Sequence, residues 1–134
     1  MIEENDRISL IEYRIEQAKE TIELARFLID SKRFVVAVNR IYYGLFYAVT
    51  ALSMKHGFET SKHGQLIGWF NKEFIASKQL DKKYGKILRI AYQNRTKGDY
   101  DAYIEFAEDE VELLFTEMRD FIDKIEILVQ SPDK

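Results

Sequence analysis

At 134 residues, 46% of them apolar and 32% charged, the chain is sized for one globular domain with a real core and does not have the composition of a disordered polymer. It has no cysteine, which removes disulfides and thiolate chemistry, and no uninterrupted apolar run near the roughly 18 residues of a membrane span. A net charge of -3 conceals an uneven spread, since residues 62–98 hold 9 basic and 2 acidic side chains whereas residues 99–134 hold 3 and 12.

Two arrangements fit that spread. The two blocks neutralise each other across packed helices, or the basic block faces a phosphate-bearing partner. The opening MIEENDRISL contains no apolar signal-peptide core, so the expectation is a cytoplasmic protein away from membranes.

In chain order, Ile8, Ile11, Ile15, Ala18, Ile22, Ala25 and Ile29 recur at threes and fours and predict a long first helix. Glu12, Glu16, Lys19 and Glu23 fall on its far side. Asp30, Ser31 and Lys32 interrupt the pattern, with Ser31 placed to cap the next helix. Residues 34–55, FVVAVNRIYYGLFYAVTALSMK, are apolar on nearly all sides and predict the central helix, ended by Gly57. Gly44 inside it costs about 1 kcal/mol relative to alanine. That cost predicts a neighbouring backbone or bulky ring passing close by.

A short helix from His63 or Gln65 to Ile75 is next, burying Leu66, Trp69, Phe70 and Phe74, followed by a basic turn, ASKQLDKKYG. A fourth helix runs from about Lys83 to Lys97 with Ile87, Ile90 and Ala91 inward. The last runs from Ala102 to about Val129, its core side formed by Phe106, Leu113, Leu114, Met118, Phe121, Ile122, Ile125 and Leu128. The reading is all-α: an up-and-down helical bundle of about five helices, one domain over 1–134 with its core at about 5–128 and a frayed tail at 130–134.

Familiar chemical motifs are missing. There is no GxGxxG, P-loop, HExxH or GxSxG, and His56 and His63 lie in turn-like sequence with no carboxylate cluster at ligand spacing. No metal or cofactor is expected.

Two polar constellations remain. The first is Asn39, Arg40, Tyr42, Tyr43 and Tyr47 on the most apolar helix, where Asn39 and Tyr43 share a face, as do Arg40, Tyr43 and Tyr47, at spacings of three and four. Buried polar groups there need partners, because an unpaired one costs several kcal/mol. The second is AYQNRTKGDYDAY, in which Tyr92, Arg95, Asp99 and Tyr103 line one face if the helix is continuous. If Gly98 breaks it, Asp99 caps the last helix instead. Either Arg95 pairs with Asp99 as a seam between helices, or Arg95 and Lys97 meet a phosphate, with Tyr100 or Tyr103 stacking or donating a proton. Lys82, Lys83 and Lys86 extend the positive charge.

The run AVNRIYYGLFYAVTALSMKHGFETSKHGQLIGWFNKEFI together with RTKGDY resembles the HEPN domain, and the small stand-alone prokaryotic HEPN proteins in particular. The resemblance implies a five-helix bundle, a homodimer, and a nucleotidyltransferase partner in a toxin–antitoxin or defence-like pair. It also implies a nucleotide- or RNA-binding role, or metal-independent RNase activity. In the RNase members an arginine is followed after four to six residues by a histidine; Arg95 fits, but Tyr100, Asp101 and Ala102 stand where the histidine belongs. Tyrosine, with an ordinary pKa of about 10, is a poor base at neutral pH. The expectation is therefore a non-catalytic or weakly active RNA- or nucleotide-binding domain. A divergent RNase using Arg95, Asp99 and Tyr100, and a purely structural interaction bundle, are the alternatives.

Overall fold

A computed structural model describes residues 3–132 as five helices without a strand among them: α1 (Glu4–Asp30), α2 (Phe34–Lys55), α3 (His63–Phe70), α4 (Lys82–Tyr100) and α5 (Glu108–Gln130). The all-α up-and-down bundle is the one the periodicity predicts. α2 is its axis, packed by α1, α4 and α5. By length and composition α2 is apolar enough to cross a membrane, yet Val38, Ile41, Tyr42, Leu45, Val49 and Leu52 are buried by the other helices.

Gly44 marks the tightest contact of that packing. A Cβ there would lie 2.4 Å from the Met118 methyl and 3.3 Å from the Thr21 methyl. The neighbour is thus a flexible side chain of α5 and a methyl of α1, in place of the expected backbone or ring.

The turns differ from expectation in two places. Ser31 belongs to the end of α1, its hydroxyl donating to Phe27 O at 2.8 Å, and α2 starts after Arg33 with no side-chain cap. Lys32 adopts a left-handed φ of 61° in this turn and sends its ammonium to Glu108 of α5. The second difference is the start of α5. It begins at Glu108 and not at Ala102, because Phe106 turns inward to become buried beside Gly98, and Glu108, Asp109 and Glu110 then supply the negative charge that favours a helix start. Leu113, on the expected core side, is 60% exposed. α3 continues without a break into a π-helical turn, Asn71–Ala76, that buries Phe74.

Charge is distributed by the packing. The acids of α5 are met mainly by α1: Arg26 donates to both Glu112 oxygens at 2.8 and 2.7 Å, and Lys19 reaches Glu126 at 3.2 Å. Among the described residues only Arg95–Asp99 and Lys83–Asp120 join the basic block to the acidic one. Mutual neutralisation of the two blocks by ion pairs is confined to those two contacts. The end of α5 is held by Lys55 of α2, whose ammonium donates to the carbonyls of Leu128, Val129 and Ser131. Of the expected frayed tail, Gln130 is helical and residues 133–134 lie outside the described residues.

Candidate functional site

The site forms where the last third of α4 crosses the first half of α2. α4 runs through Gly98 to Tyr100, so Arg95 and Asp99 are one turn apart on a continuous helix. Arg95 Nη2 donates to Tyr43 Oη at 2.9 Å. Its Nε lies 2.9 Å from Asp99 Oδ2, but the carboxylate is off the N–H direction and this buried nitrogen has no hydrogen-bond acceptor. The contact is Coulombic, between side chains 18% and 32% exposed.

Asp99 Oδ1 accepts from Asn39 Nδ2 at 3.2 Å, and Asn39 Oδ1 accepts from Arg40 Nε and Nη2 at 3.0 and 2.7 Å. Tyr43 is the hub of this ring of contacts, its centroid 4.8 Å from the Arg40 guanidinium carbon and 5.3 Å from that of Arg95. Two guanidinium groups therefore approach one aromatic ring, with a single carboxylate in contact. A guanidinium offers five N–H donors, and only some of these are spent.

Beneath lies an aromatic floor. Tyr42 is fully buried, and its hydroxyl is 2.6 Å from His63 Nδ1 on the first residue of α3. Burial pushes the Tyr42 phenol well above its ordinary pKa, with the Arg95 charge opposing. Burial, and then the Arg95 charge, lower the His63 pKa, so the imidazole is neutral at neutral pH. Its ring stacks on Phe46 at 4.3 Å and stands 5.9 Å from Tyr43 and 6.2 Å from Tyr92.

Of the residues singled out in sequence, Asn39, Arg40, Tyr43, Tyr92, Arg95 and Asp99 are brought together here. Asn39, Arg40, Tyr43 and Tyr47 are half-buried and not fully enclosed, with Tyr47 at the margin, its ring 6.2 Å from Tyr43. Lys97 is two residues from Arg95, about 200° around the helix, and points away. Tyr100 and Tyr103 are 83% and 93% exposed, and Tyr103 leaves the face altogether because α4 stops at Tyr100. Lys82 lies 13 residues before Arg95, about 20 Å along α4, so Lys82, Lys83 and Lys86 form a separate group. Asp99 caps nothing. Among the described residues no three His, Asp or Glu side chains converge to hold a metal ion.

From the sequence, Tyr42 belongs to the polar constellation of α2 without a partner assigned to it, and His63 has no role in the site. One signal was present: a tyrosine in the middle of an apolar helix needs a partner for its hydroxyl. Which partner it finds, 21 positions along the chain, is a tertiary fact.

Comparison with known proteins agrees with this architecture. The family model described as the HEPN domain matches residues 11–128. A UPF0332 protein of Thermotoga maritima is 36% identical over 127 residues, covering 95% of this chain and 96% of the relative. Two proteins of Methanocaldococcus jannaschii, each provisionally designated a toxin, are also similar. One is 36% identical over 85% of this chain and 78% of its own length, the other 31% identical over 86% and 85%. With the family model spanning most of the helices and a relative matching almost end to end, the chain belongs to the HEPN-domain family.

Proposed function

We propose that this protein binds the phosphate of a single-stranded RNA or a nucleotide at the Arg40–Tyr43–Arg95 cluster, with little or no cleavage. In this reading it acts beside a nucleotidyltransferase partner in a toxin–antitoxin pair. The observation that carries the reading is the approach of two guanidinium groups to Tyr43 with only Asp99 to neutralise them. Guanidinium forks suit phosphate oxygens, and an aromatic ring between them offers a surface for a base. The provisional toxin designation of two relatives supports the pairing with an antitoxin-like partner.

Titration of a fluorescein-labelled single-stranded RNA tests it. Binding is expected at low salt and falls as salt rises, because each phosphate contact releases counterions. Arg95→Gln and Arg40→Gln each weaken it while the protein still melts cooperatively. No binding at about 20 mM salt would leave only the interaction-bundle reading.

Assembly as a homodimer belongs to the same proposal. Leu10, Tyr13, Leu24 and Phe27 are 37–65% exposed, and their spacing puts them on one stripe of α1. α2 adds Val36, 48% exposed, whereas most of its apolar residues are enclosed.

One observation favours a second reading, weak RNA cleavage. His63 is a neutral imidazole held among the tyrosines that flank Arg95. In that reaction the RNA 2'-oxygen attacks the adjacent phosphorus and the bond to the 5'-oxygen breaks. The 2'-hydroxyl proton passes to the His63 ring, the 5'-oxygen takes a proton from water, and Arg95 steadies the phosphoryl oxygens. Tyr100, 83% exposed to solvent, is poorly placed for the base role. Cleavage that leaves a cyclic phosphate and is lost in His63→Gln would favour this reading. Cleavage lost instead in Tyr100→Phe would return the role to Tyr100.

A further inference from the structure

A second feature lies at the opposite end of α4. A cavity of about 560 Å³ is lined by Ile67 of α3, Ile75 of the π-helical turn, Gly85, and a rim of Lys82, Lys86 and Arg89. Asn71, Asp81 and Lys83 complete the lining. Gly85 keeps the floor open: a Cβ there would come within 3.0 Å of Asn71 Oδ1 and 3.2 Å of Ile75 Cγ1.

The charge of the rim is one-sided. Four cations surround the opening against one carboxylate, Asp81, and that carboxylate is occupied in accepting from Lys83 N at 2.8 Å. Lys83 is drawn to Asp120 at 3.4 Å, and Lys86 lies near Glu117, a half-buried carboxyl that burial pushes above its ordinary pKa with the Lys86 charge opposing. Among the described residues the side chains of Lys82, Lys86 and Arg89 make no hydrogen bond or ion pair, although α5 presents acids nearby.

This placement works against stability. The first turn of α4 carries no acidic residue, and lysines there oppose the helix dipole; Lys82 and Lys86, four apart, also repel each other. Local choices that oppose folding and are only partly offset, by the Asp81 cap and by the α5 acids near Lys83 and Lys86, suit a place built for a partner. The cavity lacks any aromatic ring, which argues against a nucleobase, because single-stranded nucleic acid sites stack bases on rings. Its floor is aliphatic.

We infer that this cavity docks an acidic segment of a partner protein, which seats an aliphatic side chain between Ile67 and Ile75 while its carboxylates meet Lys82, Lys86 and Arg89. The site is separate from Arg95 and does not rest on RNA binding there. Exposed cations of this kind speed and orient encounter, and the apolar anchor supplies much of the affinity.

Fluorescence anisotropy with synthetic peptides tests the inference. The probe is a fluorescein-labelled peptide of aspartates and glutamates around a central leucine pair. A second peptide has the leucines replaced by serine, and a single-stranded oligouridylate is the third probe. The leucine peptide is expected to bind at low salt, roughly tenfold more tightly than the serine peptide. Lys86→Glu with Arg89→Glu is expected to abolish that binding while leaving the melting temperature unchanged or raised. Arg95→Gln should leave peptide binding intact, which separates failure of one site from failure of the other. Equal binding of the two peptides, or peptide binding untouched by the charge reversals, overturns the inference. Loss of oligouridylate binding in the charge-reversed protein with no peptide binding assigns the rim to nucleic acid and overturns it as well. Self-association abolished by the same reversals would make the occupant a second copy, again against the proposal.

Discussion

Arg95→Gln separates a seam from a site, and its cost follows from the contacts. The hydrogen bond from Arg95 to Tyr43, with a charged donor, contributes about 2 kcal/mol. Contacts of the guanidinium with the rings of Tyr42 and Tyr43 add about 0.5 kcal/mol each. The pair with Asp99, one turn on and partly exposed, adds about 0.4 kcal/mol. Against these, removing a buried Nε that has no acceptor returns about 1.4 kcal/mol. The net loss is about 2 kcal/mol, below the about 3–5 kcal/mol of breaking a fully buried ion pair. With about 2.1 cal/mol/K of unfolding entropy per residue, a chain of 134 residues has about 0.28 kcal/mol/K, so the melting temperature falls by about 7 °C. The variant stays folded at 25 °C, given an ordinary stability of about 5–15 kcal/mol. Differential scanning calorimetry measures the shift, and RNA titration of the same preparation measures binding. A shift under about 2 °C with intact binding would refute the contacts as described. Loss of any cooperative transition would make Arg95 a strut alone.

Gly44→Ala is expected to be nearly neutral, because the Met118 methyl can swing aside and alanine recovers about 1 kcal/mol of helix propensity. Gly44→Val adds two methyls against Thr21 and Ile122, which a Cβ already touches, and should destabilise by about 1–3 kcal/mol in chemical denaturation. The His63 pKa is depressed on folding, so the unfolded chain binds more protons just below its ordinary value of about 6.5; this contribution is complete above that pH and is lost as pH falls toward the folded value. Wild type should therefore lose stability relative to His63→Gln between about pH 7 and pH 5.5, read as the difference between their melting curves. Sedimentation equilibrium at micromolar concentration should give a dimer that Leu24→Glu with Phe27→Glu dissociates. A wild-type mass of 15.9 kDa would rule the dimer out.

Where one face decides the outcome, the sequence could be read. α2 was legible to the residue, since an apolar run enclosed on nearly every side has few ways to end before Gly57. α4 was legible apart from its final turn, because Gly98 suggests a stop that packing against Val35 and Phe106 overrides. The start of α5 was obscured by Tyr103, Ile104 and Phe106, which keep a helical rhythm although only Phe106 becomes buried. The three consecutive acids from Glu108 were the readable start signal. In the site, Arg95–Asp99 followed from spacing on one helix. Asn39–Asp99, Arg95–Tyr43 and Tyr42–His63 depend on how α2, α3 and α4 cross, and no local pattern contains that. Seam and anion site are moreover not exclusive: the contacts that join α2 to α4 also hold the two guanidinium groups in place.

The ammonium of Lys55 makes the last turn of α5 a dependent of α2. α5 has no basic residue in its own last turn, so the carbonyls that end it are served by a cation borrowed from another helix. Opening of that turn is then coupled to the end of α2 and, through Gly57 and Phe58, to the ring of Trp69 on α3, against which Phe58 stacks at 5.7 Å. Trp69 is the chain's one tryptophan, which makes it an intrinsic optical gauge of that corner. In Lys55→Met its emission should report loosening at a lower denaturant concentration than the global transition recorded by circular dichroism. Unfolding of the variant would thereby acquire a resolvable first step, located at the end of the bundle remote from Arg95, where a small domain ordinarily unfolds in one.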